Sequence, residues 1–411
     1  MLSRAGMSLA VAGLLAGLLG VWSPAADAAD AAAPDAGAFT FLTGSIALSP
    51  SDAWAVGWAG VPGTTVLFSE SLHWNGHQWV SVNAAPGAYV NGLQSVSATG
   101  PSNIWGVGFQ GAGPLIEHYN GRKWVTVPCP YQGGASQLNG VDARTTSDAW
   151  AVGWVNPGAS QIGFAEHWNG KHWTQVKTAP VSGSHVELNS VLDLGQGNVF
   201  AVGDYQTESN GTDVRHELAE HWNGHAWQRV SVPAFSTSSS LGGIAGTKSA
   251  GVTAVGYVLA GGHNVPLIER WNGTRFARVT LPVSSGYLNA VTVLSRTSAY
   301  AVGQTGSSTT LVEHYNGTRW TRISTPSPAN GGYLTSVAAT PSGSFVVAVG
   351  SHGPDLNERP LVEQGNGKTW HIARDRGPVT CWPSTRRPAS RPSSIARAGC
   401  PPGDRRTGRS P

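Results

Sequence analysis

Apolar and polar residues alternate along most of the chain in short runs broken by turn residues. The stretch 138–176 shows the pattern well, with four short segments rich in Val, Ala, Trp and Ile separated by Gly, Asn, Ser and Pro. Such spacing predicts β-strands rather than helices. The second segment, Asp148-Ala-Trp-Ala-Val-Gly153, puts Ala149, Ala151 and Gly153 on one face and Trp150 and Val152 on the other, because successive side chains of a strand point to opposite sides. Both faces are apolar, one small and one large, so a sheet built from such strands must be covered on both sides.

The same pattern returns seven times. Ala-Val-Gly or a close variant ends at Gly57, Gly108, Gly153, Gly203, Gly256, Gly303 and Gly350, at spacings of 45 to 53 residues. A Leu stands 15 residues before that Gly in six copies (Leu42, Leu93, Leu138, Leu188, Leu241, Leu288) and 16 before it in the seventh (Leu334). Each copy also carries an Asn-Gly pair, at 75, 120, 169, 223, 272, 316 and 366, followed three residues later by Trp79, Trp124, Trp173, Trp227, Phe276, Trp320 or Trp370. Asn-Gly between two apolar runs predicts a type I′ hairpin, in which both central residues take positive φ. Each copy therefore reads as a four-stranded antiparallel meander. Identical sheets with one large and one small apolar face cover each other when large packs on small around a ring. The expected fold is an all-β, seven-bladed β-propeller over 42–375.

The repeat residues also carry a resemblance. Aromatic-x-Val-Gly closing the second strand, Leu115-Ile-Glu-His-Tyr-Asn-Gly121 in the third, and then Trp124, Val127 and Pro128 resemble a kelch-type blade of the galactose-oxidase kind. They are more similar still to secreted bacterial propellers built from DAWAVG and EHWNG segments, a group without an assigned biochemical role. Two features depart from kelch: a single Gly ends the second strand, and Trp58, Phe109 or Trp154 follows it where a second Gly is usual. The Asn-Gly-x-x-Trp turn is also similar to the Asp-box of sialidases, but the acidic residue of that motif is replaced, for example by Trp74 and Tyr119. The resemblance implies the fold and no catalytic residue.

The termini read differently from the repeats. Arg4, an apolar run from Leu9 to Trp22 and Ala26-Asp27-Ala28 form a signal-peptide pattern over 1–28, followed by a linker or entry strand over 29–41. A secreted, extracellular protein is expected. The apolar run is too short to span a bilayer, and no second candidate follows. Residues 376–411 are rich in Pro, Ser and Arg, which predicts a disordered tail. The chain's net charge of +3 owes much to that tail, where 377–411 hold seven Arg and one Asp. The remainder is slightly acidic and offers no basic surface to nucleic acid. Only 12% of residues are charged, whereas Gly numbers 54 and Trp 17, a composition of turns and aromatic packing. The three Cys, 129, 381 and 400, make no disulfide framework, and a monomer held by its core is expected.

His216-Glu-Leu-Ala-Glu-His221 resembles a zinc-protease motif, but its second His falls at i+5, about 140° around a helix from the first, and the repeat makes this segment a strand. No metal and no cofactor is expected. Glu117, Glu166, Glu220, Glu269, Glu313 and Glu363 recur at one repeat position, mostly beside a His. Six equivalent carboxylates read as a building element of the blade, each accepting hydrogen bonds from a neighbouring strand or blade, because burying a carboxylate unpaired is costly. Blade 1 has Leu72 instead.

Function is expected on the face carrying the loops between second and third strands. From the repeat Gly to the Glu position the spacing varies from 9 to 17 residues, and binding residues commonly ride on variable loops above a rigid scaffold. Trp58, Phe109, Trp154, Tyr205 and Tyr257 cluster just after the repeat Gly on this face. They are the candidate ligand-binding aromatics, with Asp204 and His216 as polar neighbours. The expectation is a secreted, non-catalytic binding scaffold for a glycan or extracellular protein. The alternative is a propeller enzyme, a hydrolase, lyase or copper oxidase, with its site on the same face. A unique cluster of His, Asp, Glu or Arg over the axis would favour the enzyme, and a shallow aromatic surface would favour binding.

Overall fold

The computed structural model describes residues 39–374 except 61, 86–89, 132, 159, 210 and 354–357. The signal-peptide and tail expectations, over 1–28 and 376–411, lie outside the described residues. The chain forms seven sheets of four antiparallel strands, over 39–81, 91–126, 136–176, 184–229, 239–279, 286–323 and 332–374, numbered here as blades 1 to 7. In every blade the strands are hydrogen-bonded in sequence order, and none is exchanged between the first and last copies. No helix occurs among the described residues. The first strand begins at Phe39.

The two faces of the second strand pack as their sizes require. Ala149 and Ala151 lie against Trp105, Val107 and Ile116 of blade 2, while Trp150 and Val152 lie against Val186, Leu188, Leu218 and Trp227 of blade 4. The aromatic that follows each Asn-Gly is the wedge at this interface. Trp124 meets Trp54, Trp173 meets Trp105, and Trp227 meets Trp150, each edge-to-face across two blades at centroid distances of 5.2 to 5.9 Å. Phe276 and Phe200 repeat the contact between blades 5 and 4. An edge-to-face pair gains about 0.5–1.5 kcal/mol beyond its buried area.

The repeat Gly has a single steric cause. The first strand carries a β-bulge opposite it, so that Leu42 pairs with Gly57 but Gly44 pairs with Val56, and every other blade shifts register directly after its Leu in the same way. The bulge turns a carbonyl onto the Gly. A Cβ at Gly57, Gly153 or Gly350 would stand 1.8 to 2.0 Å from the oxygen of Phe41, Gln137 or Tyr333, so no side chain fits.

The residue extruded by the bulge, just after the Leu, links the blades around the axis. Thr43 Oγ1 donates to the Leu93 carbonyl, Asn139 Nδ2 to that of Leu188, Asn189 Nδ2 to that of Leu241 and Asn289 Nδ2 to that of Leu334. Thr335 Oγ1 closes the ring by donating to Leu42 across 293 residues of sequence. Inside this belt the first strands approach closely, and Gly44, Ser95, Ser190, Gly243, Ala290 and Ser336 line a narrow axial cavity of about 90 Å³. Blade 7 also meets blade 1 through Phe345, Val347, Val349 and Val362, packed on Leu42, Ala55, Leu72 and Trp79, and through a hydrogen bond from Trp79 Nε1 to Gln364. Side-chain packing and the belt, rather than a shared sheet, close the propeller.

The Asn-Gly turns differ from the expected type I′ form. Trp74 pairs with Trp79, which leaves four residues in the loop. Asn75 Oδ1 accepts the backbone N–H of His77 and of Gln78, and only Gly76 takes positive φ, +90°. The same Asn cap recurs at Asn120, Asn169, Asn223, Asn272, Asn316 and Asn366. The Asn is there for its side-chain oxygen, which caps the turn, and the Gly for its left-handed backbone.

Candidate functional site: the strand 2–3 loop face

One layer closes the ring on the face of the strand 2–3 loops. It consists of the residue before each repeat Leu and the residue after each repeat Gly, paired across the first two strands: Phe41 with Trp58, Gly92 with Phe109, Gln137 with Trp154, Glu187 with Asp204, and Ser240 with Tyr257. Blades 6 and 7 supply Tyr287 with Gln304 and Tyr333 with Ser351.

The aromatics expected to form a solvent-facing arc mostly do not face solvent. Trp58 is 7% exposed, Phe109 0% and Trp154 4%. Trp58 stacks on Phe41 at 4.3 Å, and with Phe109, Leu67 and Tyr333 it fills a hydrophobic plug over blades 7, 1 and 2. Gly92 makes this possible, since a Cβ there would lie under 3 Å from both the Phe109 ring and Trp58. These rings turn inward because burying their large apolar area outweighs leaving them in water. Tyr205 and Tyr257 are half-buried.

Over blades 3 to 5 the same layer holds, beside Trp154 and Tyr257, a connected set of polar groups. Gln137 Nε2 donates to Asn139 Oδ1, and Asn139 Nδ2 donates to Glu187 Oε1. Asp204, 1% exposed, accepts the Ser240 hydroxyl at 2.6 Å and the Asn189 amide at 3.4 Å, and it faces the Arg215 guanidinium at 3.3 Å. Burial pushes the Asp204 carboxyl upward, opposed first by Arg215. Glu217, three residues from the repeat Glu220, is buried beside Glu269 of blade 5, and burial together with that neighbouring carboxyl pushes it up to about 9. The sequence signal for this network was the column before the repeat Leu, where Gln137, Glu187 and Ser240 replace aromatics or Gly.

The repeated carboxylates occupy equivalent buried positions at the blade interfaces. Glu117 accepts the Ala85 backbone N–H, Glu220 accepts that of Ala179 at 3.1 Å, and Glu166 accepts the Cys129 thiol at 3.1 Å. Each donor belongs to the segment leaving the preceding blade. Glu363 lies near the Thr325 and Thr310 hydroxyls of blade 6. Burial raises Glu117, Glu166, Glu220, Glu269, Glu313 and Glu363 to about 7. The neighbouring His have their own repeated role: His73, His118, His167, His221 and His314 each stack near the second-strand aromatic and pair through Nε2 with Asp52, Asn103, Asp148, Asn198 and Ser298.

What projects beyond this layer is the blade 4 hairpin. Its strands Val199–Ser209 and Thr212–Trp222 pair through eleven residue couples, from Val199–Trp222 to Ser209–Thr212. Glu208 and Asp213 are exposed on it. His216 is half-buried, its ring 5.2 Å from that of Tyr205 and its Nε2 2.7 Å from the Thr207 hydroxyl. Arg229 lies over the Tyr205 ring at 5.0 Å. At the base of the hairpin, the exposed His185 holds a left-handed φ of +50°. Tyr205, His216 and Asp204 thus stand on one hairpin, but Asp204 belongs to the closed network below and Tyr257 sits on blade 5. Among the described residues no group of three or more His, Cys, Asp or Glu could hold a metal ion.

No protein-family model matches the chain, and no curated protein is similar to it in sequence. Some solved structures are similar to it. A GH74 xyloglucanase from Xanthomonas campestris is 14% identical with a TM-score of 0.57, matching 83% of this chain and 55% of its own. YCF48 from Cyanidioschyzon merolae is 15% identical with a TM-score of 0.49, over 77% of this chain and 97% of its own. The Aleuria aurantia lectin, in complex with α-methyl-L-fucoside, is 14% identical with a TM-score of 0.44, over 70% of this chain and 96% of its own. The protein is a seven-bladed β-propeller, and at 14% identity its likeness to the xyloglucanase is one of fold.

Proposed function

We propose that this propeller is a secreted, non-catalytic binding scaffold, kelch-like in its repeat, that takes a glycan or an extracellular protein on the strand 2–3 loop face of blades 3 to 5. The observation that carries the reading is the blade 4 hairpin, the longest strand 2–3 ladder among the described residues, which presents Tyr205, His216, Glu208 and Asp213 above a rigid base. Asp204 and Arg215 fix that base, one on each strand of the hairpin. The acidic groups with raised pKa values support binding over catalysis, because Asp204, Glu217 and the repeated Glu are buried and held by protein partners or packed between blades. A general acid must reach within hydrogen-bonding distance of its substrate. The leader pattern over 1–28 supports secretion.

The test replaces residues 207–214 by Asn-Gly, which joins Gln206 to Arg215 through a two-residue turn and keeps the Asp204–Arg215 pair. Glycan arrays and pull-downs from culture supernatant and cell wall are compared for the two proteins. The reading expects a ligand retained by the intact protein and lost by the trimmed one at unchanged melting temperature. Equal retention by both would remove it.

A further inference from the structure

A separate crevice lies on the opposite face, between blades 4 and 5. It encloses about 510 Å³, and its walls include Asn198, Phe200 and His221 of blade 4 and Thr247, Lys248 and Trp271 of blade 5. This volume falls in the usual range for small-ligand sites, about 300–1,000 Å³.

The crevice sits where blade 5 breaks the repeat. In blades 1, 2, 3, 4 and 6 a polar residue opens the second strand and holds a His of the third; blade 7 fills these positions with Phe345 and Gln364, whereas blade 5 leaves the first empty with Gly251 (φ +86°), has Arg270 in place of the His, and Thr253 in place of the strand's aromatic. Arg270 holds the turn by donating to the Ala250 carbonyl. In blades 1 and 3 the Trp before the Asn-Gly donates its indole N–H to the adjoining turn, Trp74 to Pro50 and Trp168 to Thr146. The corresponding Trp271 has no such acceptor and is half-buried against Phe200 and Phe276.

The polar groups are pre-arranged. Asn198 Oδ1 lies 2.7 Å from His221 Nε2. An amide oxygen can only accept, so Nε2 carries the proton and Nδ1 is an acceptor; burial favours this neutral imidazole. Lys248 is exposed at the rim, and no Asp or Glu lines the crevice. The nearest acid in the blade 4 turn, Asp193, is taken up by Arg144 and by the Gly195 N–H. Arg296 is committed to the Ser249 carbonyl. Among the described residues the crevice therefore combines an aromatic wall, an indole donor without an acceptor, an imidazole acceptor and an exposed ammonium.

We propose that this crevice binds a carboxylate-bearing pyranose, a uronic-acid unit, with its ring on Trp271 and its carboxylate on Lys248. Aromatic faces suit the apolar face of a sugar ring, and the ammonium adds a charge-assisted bond. The site is on the other side of the ring from the blade 4 hairpin and does not rest on the function proposed for that hairpin.

Calorimetry and saturation-transfer NMR with D-glucuronate, a galacturonate trimer, D-glucose and acetate test it on the full chain. Glucuronate is expected to bind about tenfold more tightly than glucose, the equivalent of one charge-assisted hydrogen bond. Binding of the trimer in preference to the monomer would point to a polymer as the source. Lys248→Glu, at an exposed position, should abolish the preference for the acidic sugar, and Trp271→Phe, which keeps a ring but removes the N–H, should weaken glucuronate about threefold. The hairpin-trimmed protein should bind glucuronate as the wild type does, which separates this proposal from the previous one. No saturable binding at millimolar glucuronate, equal affinity for glucose, acetate binding as tightly as glucuronate, or indifference to Lys248→Glu would each overturn the assignment.

Discussion

Two halves of one layer solve the same packing problem differently. Over blades 7, 1 and 2 the positions flanking the repeat Leu and Gly hold Phe41, Trp58, Phe109 and Tyr333, which pack as an apolar plug. Over blades 3 to 5 the equivalent positions hold, besides Trp154 and Tyr257, the polar residues Gln137, Glu187, Asp204 and Ser240, joined through Asn139, Asn189 and Arg215. Both halves rest on the same bulge and the same Gly. The backbone frame dictates the Gly, the Leu and the small axial residues, and leaves the layer above free to be apolar or polar. A buried ion pair is seldom more stable than the hydrophobic filling it replaces. The polar half therefore calls for a reason other than stability, and it lies beneath the longest strand 2–3 hairpin among the described residues.

If the frame is common to both halves, breaking it should cost the same in each. Gly57→Ala beneath the plug and Gly203→Ala beneath the network each drive a Cβ to within 2 Å of a carbonyl oxygen. Chemical denaturation should show each losing more than about 4 kcal/mol, or fail to yield folded protein. Gly211→Ala, with φ +73° and open space around it, should cost only about 1–2 kcal/mol, the strain of left-handed backbone. A mild effect at Gly57 or Gly203 would show that the bulge can relax.

The aromatic contribution comes next in size. Trp58→Ala in the plug and Trp173→Ala at a blade interface should each destabilise by roughly 3–5 kcal/mol, the usual range for removing a buried large aromatic. In the polar half, Arg215→Met should cost roughly 3 kcal/mol by stranding the Asp204 charge, and adding Asp204→Asn should restore much of it. An additive double mutant would mean that the pair is not coupled.

The recurrent carboxylates distinguish the blades through pH. Glu117, Glu166, Glu220, Glu313 and Glu363 stand at about 7 against an ordinary 4.5. The folded state thus keeps protons that the unfolded chain releases between those values. This contribution is complete below about pH 4.5 and is lost as pH rises through 7. His118, His221 and His314, lowered by burial from 6.5, act oppositely at acid pH, but they are fewer and less displaced. The melting temperature should be several degrees higher at pH 5 than at pH 8. Glu313→Leu, copying Leu72 of blade 1, should raise it at pH 8 and flatten the profile; a profile rising with pH would contradict the burial argument.

The seven blades were legible because each repeated residue answers a geometric demand that recurs every blade. The Leu-to-Gly spacing, the wedge aromatics and the alternation of Ala with Trp and Val all appear in the sequence as columns. The Asn-Gly turn was misread because a dipeptide shows what φ it permits, not the loop length; the pairing of Trp74 with Trp79 decides that. The fate of Trp58, Phe109 and Trp154 was hidden because exposure depends on the facing strand, and Gly92 was the clue that a ring would fold inward. The belt was available in the column after the Leu, Thr43, Asn139, Asn189, Asn289 and Thr335, but its partners lie on the next blade and cannot be read from one copy. The crevice of blade 5 required knowing which neighbours surround Gly251 and Thr253.

The division of labour between the two halves can be measured in one experiment, by following melting temperature and ligand retention together in Trp58→Ala and Tyr205→Ala. The account predicts that Trp58→Ala lowers the melting temperature strongly while the folded fraction retains its glycan or protein ligand. Tyr205→Ala should melt close to the wild type and lose that ligand. Loss of binding in Trp58→Ala with full retention in Tyr205→Ala would contradict it, and would move the binding surface to the opposite half of the ring.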